Sequence, residues 1–167
     1  MKRVLIAIDY NTSAQKVAET GYAFARLMNA ETIIIHAISD ISHYAMDDLP
    51  IMGFNGFSSD GPFMTIDEQK KEADNFLQCI VHHLGDTHIK TCVLDGRTSE
   101  TILEYALNRK ADLIVIGTQN HGGFEKLCPG NITSIILKRS DVPVLVIPAE
   151  KNNQDKVLTN QYGYLQI

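Results

Sequence analysis

Tryptophan is absent from the 167 residues, cysteine is scarce and no apolar run is long. Cys79, Cys92 and Cys128 are odd in number, widely spaced and free of any C-x-x-C pattern, which argues against a disulfide framework or a zinc ribbon. Every apolar run falls far short of the ~18 residues of a membrane helix. The opening Met1-Lys2-Arg3 has the charge of a signal peptide, but the apolar stretch behind it, Val4 to Ile8, stops at Asp9. That is below the ~7 residues an h-region needs, so a cytoplasmic protein is expected, with no membrane partner. A basic stripe is also missing. Fifteen Lys and Arg stand against 20 Asp and Glu, for a net charge of -5, and nucleic acid is not an expected partner.

What is present is a regular alternation. Val4 to Ile8 is a continuous apolar run of the kind found in strands buried on both faces. Thr12 and Gln15 have capping-box spacing, and Ala14, Val17, Ala18, Gly21, Phe24, Ala25 and Met28 follow at helical period. Thr32 to Ile38 reads as the next strand. Thr65 and Glu68 form a second capping box, ahead of a helix carrying Ala73, Phe76, Leu77, Ile80, Val81 and Leu84, with Gly85 suited to its end. Ile89 to Leu94 reads as a strand, and Thr98 or Ser99 caps a helix through Leu107. Leu113 to Ile116, a short helix at Ile132 to Ile136, and a last strand at Val142 to Pro148 complete the series. Five strands alternating with four helices predict an α/β fold: an open, mostly parallel five-stranded sheet with helices on both faces, Rossmann-like. One domain over 1–149 is expected, with a long variable loop at 40–65 and a polar tail at 150–167.

Ligands in such sheets bind at the carboxyl ends of the strands, near the switch in strand order. That rule singles out Asp9, His36-Ala37, Gly96 and the segment from Gly117 to Ile132. The turn after the first strand, Asp9-Tyr10-Asn11-Thr12-Ser13, is neither G-x-G-x-x-G nor a Walker loop, and Asp9 has no acidic neighbour of the receiver-domain kind. The segment Gly117 to Ile132 leaves a strand and enters a helix, with glycines that let main-chain amides approach an anion. A tight loop that merely needs glycine torsions would look the same. Cys79, His82 and His83 share part of a helix face, but no second cluster completes a metal site. Cys92 and Cys128 read as apolar filler rather than nucleophiles.

In this segment the chain resembles the universal stress protein family. The family's signature is Gly, two residues, Gly, nine residues, Gly, then Ser or Thr. It falls here on Gly117, Asn120, Gly130 and Asn131. The first strand ending in Asp9, the second ending in His36-Ala37, the Gly96 turn and the closing Pro143 to Pro148 extend the likeness over roughly residues 2–148. The resemblance implies an adenine-nucleotide alpha-hydrolase-like sheet and a homodimer paired through the last strand at Val142, Val144 and Val146. It also implies an ATP site, with Mg²⁺ accompanying the nucleotide. There Asp9 would meet ribose or adenine, Ala37 the adenine, and Ile116 and Gly117 the ribose and phosphates. Asn120, Gly130, Asn131 and Ile132 would surround the phosphates. His121 stands where many members carry Arg or Lys.

Two of the four signature positions depart. Asn120 replaces Gly, and Asn tolerates left-handed torsions better than other residues. Asn131 replaces Ser or Thr, and is a strong N-cap with an amide able to donate. The expected function is therefore a regulatory stress-response protein binding ATP or a related adenine nucleotide. The alternative is a dimeric interaction module without nucleotide, acting through an unknown protein partner. No general base is evident beside the phosphate loop, no paired acids are placed for Mg²⁺, and neither an S-G-G-x-D-S loop nor an H-I-G-H tetrad is present, so at most slow ATP hydrolysis is expected.

Overall fold

The computed structural model describes residues 1–11, 13–38, 65–118 and 132–148. Successive side chains of a strand point to opposite faces, and a strand apolar at every position needs cover on both. β1 (Arg3–Ala7) meets this condition: Val4 and Ile6 join one buried cluster, Leu5 and Ala7 another. The same division runs through β2 (Glu31–Ile38), where Ile34 faces one way and Ile33, Ile35 and Ala37 the other. In β4 (Leu113–Gly117) Val115 is set against Ile114 and Ile116. The first cluster is closed by Val17, Ala18 and Ala25 of α1 (Ala14–Leu27) and by Phe76, Leu77 and Ile80 of α2 (Ile66–Leu84). The second is closed by Ile102 and Ala106 of α3 (Thr98–Asn108) and Ile136 of α4 (Ile132–Arg139).

With β3 (Lys90–Asp95) and β5 (Val144–Ile147) the sheet has the order β3-β2-β1-β4-β5. Among the described residues all four pairings are parallel, in keeping with the expected mostly parallel sheet. The order reverses at β1, between β2 and β4. No helix among the described residues is long and apolar enough to cross a membrane.

Local signals explain the element ends unevenly. Thr65 caps α2 in a full capping box with Glu68, and Gly85 closes it in the left-handed region at φ 70°. At α1 the cap is Ser13 rather than Thr12, which lies outside the described residues. The Ser13 amide and hydroxyl both donate to Asn11 Oδ1, at 3.0 and 2.6 Å, so an Asx turn sets the entry. At α3 the N-cap is Arg97, without a side-chain bond, and Thr98 is already helical. The loop over 40–65, apart from Thr65, and the tail over 150–167 fall outside the described residues.

The amino ends of the strands are fastened by ions. Arg3 Nε lies 2.9 Å from Glu31 Oε2, and Lys90 pairs with the other oxygen of the same carboxylate. Arg3 also donates to the Arg109 carbonyl at 2.7 Å, while its amide donates to Asp112 Oδ2 at 2.7 Å. Hydrogen bonds from Lys90 and then Arg3 hold the Glu31 carboxyl below the ordinary glutamate pKa.

Candidate functional site

At the opposite end, where the chain leaves β1 and β4 for helices on opposite faces of the sheet, a cleft opens at the topological switch. Its described lining includes Asp9, Ala37, Ile116, Gly117 and Ile132 of the sequence-predicted set. Asn120, Gly130 and Asn131, with His121 and Cys128, lie outside the described residues. Five of the eight expected positions are thus brought to one hollow.

The floor is apolar and graded in size. Ala7 and Ala37 are small where their neighbours Ile35 and Ile116 are branched, leaving a trough flanked by Thr98 and Ile102 of α3 and Ile132 and Thr133 of α4. Such a trough suits a flat ring. The rim is polar. Asp9 Oδ1 accepts from the Tyr10 amide at 2.8 Å, and the Asp9 carbonyl accepts from the Asn11 amide at 2.8 Å, so the carboxylate stands in a tight turn. Asn11 and Ser13 complete that wall.

Gly117 is a position of close approach. A Cβ there would lie 2.8 Å from Val17 Cγ2 and 3.4 Å from Ser13 Oγ. The Gly117 carbonyl accepts from Thr133 Oγ1 at 2.9 Å, and the Thr118 amide donates to the Ile147 carbonyl at 2.9 Å. Thr133, itself buried, therefore ties the first turn of α4 to the end of β4.

His36 lies beneath this rim, 1% exposed. Its Nδ1–H donates to the Ile8 carbonyl at 3.0 Å and stands 3.9 Å from Asp9 Oδ1. Burial pushes the imidazole below its ordinary pKa, against the opposing pull of the Ile8 carbonyl and the Asp9 charge. The unfolded chain therefore takes up this proton first as pH falls. Stability is expected to decline below about pH 6.5 with a slope of up to ~1.4 kcal/mol per pH unit, levelling once folded His36 titrates. Denaturant titrations of wild type and His36→Gln between pH 7.5 and about 5 check this; the variant should lose that part of the slope.

The sequence did not mark Thr98, Ile102, Thr133, Asn11 or Ser13 as lining the site. Thr98 and Thr133 are ordinary hydroxyls of first helical turns until the sheet order brings them together. Asn11 carried a readable signal, the Asn-x-Ser spacing of an Asx turn at a strand's carboxyl end. The metal reading of Cys79, His82 and His83 gains no support: no group of three His, Cys, Asp or Glu among the described residues is placed to hold an ion. Cys92, expected as buried filler, is only half-buried.

The family model for the universal stress protein family matches residues 1–148. A universal stress protein of Methanocaldococcus jannaschii is 27% identical over 153 residues, covering 90% of this chain and 84% of that protein. The stress response protein NhaX of Bacillus subtilis is 22% identical, covering 87% and 96%. Among solved structures, a universal stress protein in complex with cAMP has TM-score 0.63 at 20% identity, covering 87% of this chain and 96% of its own. A universal stress protein from Archaeoglobus fulgidus in complex with dAMP has TM-score 0.53 at 20% identity, covering 88% and 97%. At such identities these two structures speak to the fold.

Proposed function

This chain belongs to the universal stress protein family, and from that premise we propose that it binds ATP or a related adenine nucleotide in the switch-point cleft, as a cytoplasmic stress-response regulator. The observation that carries the reading is the Ala7–Ala37 trough beneath a rim of one carboxylate and several hydroxyl and amide groups. An adenine ring buries apolar faces and presents polar edges, and that trough offers both environments. In this reading Asp9 meets the ribose or adenine, Ile116 and Gly117 the ribose and phosphates, and Asn120, Gly130, Asn131 and Ile132 the phosphates. Two relatives of the same fold were solved with cAMP and dAMP, which supports an adenylate rather than another base.

Asp9 is the single carboxylate among the described lining residues. A Mg²⁺ travelling with a triphosphate would be held mainly by phosphate oxygens and water, as is usual for that ion. When bound it would neutralise phosphate charge in a chain of net charge -5. The chemistry of this rim is binding and sensing, with at most slow hydrolysis. The same reading takes the functional unit as a homodimer paired through β5.

Titration calorimetry with ATP and Mg²⁺ tests the reading. Wild type should show saturable heat, kept in Lys71→Ala on the exposed face of α2. Ala37→Leu, which fills the trough, and Gly130→Val should each lose at least about tenfold in affinity, equivalent to ~1.4 kcal/mol. The two asparagines at signature positions favour one rival, a dimeric module with an empty site. Absence of heat at millimolar ATP would select it.

A further inference from the structure

The turn that carries Asp9 is held from behind by three rings. The Tyr10 ring lies 4.4 Å from the His36 imidazole, tilted by 58°, and 4.6 Å from the Phe76 ring, tilted by 46°. His36 and Phe76 meet edge-on, with centroids 6.1 Å apart. Phe76 is wholly buried in α2, and His36 is fixed in β2 by its bond to the Ile8 carbonyl. Two rigid elements thus grip Tyr10. The residues on either side of it, Asp9 and Asn11, line the cleft, whereas Tyr10, His36 and Phe76 are absent from its described lining.

We infer that Phe76, Tyr10 and His36 form a positioning clasp that sets where Asp9 presents its carboxylate to a nucleotide, so that α2, on the far side of the sheet from the trough, governs ligand affinity. The inference rests on the nucleotide reading above. Tilted rings at these separations attract one another beyond their burial. The turn is short: Asp9 Oδ1 accepts from the Tyr10 amide, and the Asp9 carbonyl accepts from Asn11. A displacement of the Tyr10 ring therefore moves the Tyr10 main chain, and the carboxylate bonded to it moves too. Misplacing a binding group by about 1 Å is enough to cost much of its contribution. The clasp acts through Asp9, which makes these three positioning residues.

A double-mutant cycle read by calorimetry, with ATP and Mg²⁺ as the probe, separates positioning from general softening. Tyr10→Ala is expected to weaken binding about tenfold, and Tyr10→Phe, which keeps the ring, to stay within about threefold of wild type. Asp9→Asn should also weaken binding about tenfold, and adding Tyr10→Ala to it should cost little more, because the group being positioned is already gone. Unfolding midpoints of all variants are measured alongside; if Tyr10→Ala does not fold, Tyr10→Leu, which keeps apolar bulk without the ring, takes its place with the same expectation. Losses that simply add, or a Tyr10→Ala variant that binds like wild type, overturn the clasp while leaving the nucleotide reading intact. Wild type that yields no heat overturns the nucleotide reading, and the clasp with it.

Discussion

Gly117→Val is expected to lower the unfolding free energy by about 1–3 kcal/mol and to weaken nucleotide binding by more than about tenfold. The first Cβ alone would press to 2.8 Å from Val17 Cγ2. Val17 is 2% exposed and belongs to the α1 face that packs on the sheet, so it has little room to turn. Either α1 lifts or the end of β4 twists away. Twisting would draw the Gly117 carbonyl from Thr133 Oγ1 and the Thr118 amide from Ile147, so the α4 start would lose its tether. All of these displacements occur in the wall of the cleft, which explains why stability and affinity should fall together. Gly117→Ala should show the same signs at a smaller size. Denaturant unfolding with calorimetry checks both, and an unchanged midpoint in Gly117→Val would show that α1 yields freely and that close approach is not what glycine supplies here.

The second large effect concerns β5, an edge strand among the described residues. β5 pairs with β4 on one side, and Val144, Leu145 and Val146 remain only half-buried. An unpaired apolar edge is a template for another strand. Pairing it with the same edge of a second copy across a two-fold axis would satisfy both. Light scattering of wild type is then expected to give twice the 18.6 kDa of one chain. Val144→Lys or Val146→Lys should give monomer or aggregate, because the two-fold axis places each new lysine twice in one apolar seam, where its charge would lose water without gaining a partner. Val142, Val144 and Val146 also touch the α3–α4 cluster, so circular dichroism is needed beside the mass, to separate lost pairing from lost folding. A dimer that persists in both variants would sink the edge-pairing proposal.

Much of the scaffold could be read directly from local chemistry. Val4 to Ile8 and Thr32 to Ile38 are apolar at nearly every position, and only a two-sided burial explains that. Thr65 with Glu68, and Gly85 at the far end, mark α2 because every group involved lies within a turn of its partner. The helix starts at α1 and α3 were less legible for the same reason inverted. Several small polar residues stand in a row at each, and which one caps depends on the direction from which the chain arrives. Asn11 takes the role of organising α1, and Arg97 precedes α3 without a side-chain cap. The site divides similarly. Asp9, Ala37, Ile116 and Gly117 were visible as strand ends. Thr98 and Thr133 were not, since only the order β3-β2-β1-β4-β5 makes them facing walls of one trough. Nor does any local pattern reveal that Tyr10 rests between β2 and α2.

The ionic stitching of Arg3, Glu31, Lys90 and Asp112 at one end of the sheet has an architectural corollary. Strand alignment is secured at the amino end of the sheet, remote from the cleft, in addition to the main-chain contacts at the other end. A connection leaving the carboxyl end of the sheet can therefore change in length or composition while the amino-end frame of Arg3, Glu31, Lys90 and Asp112 stays in place.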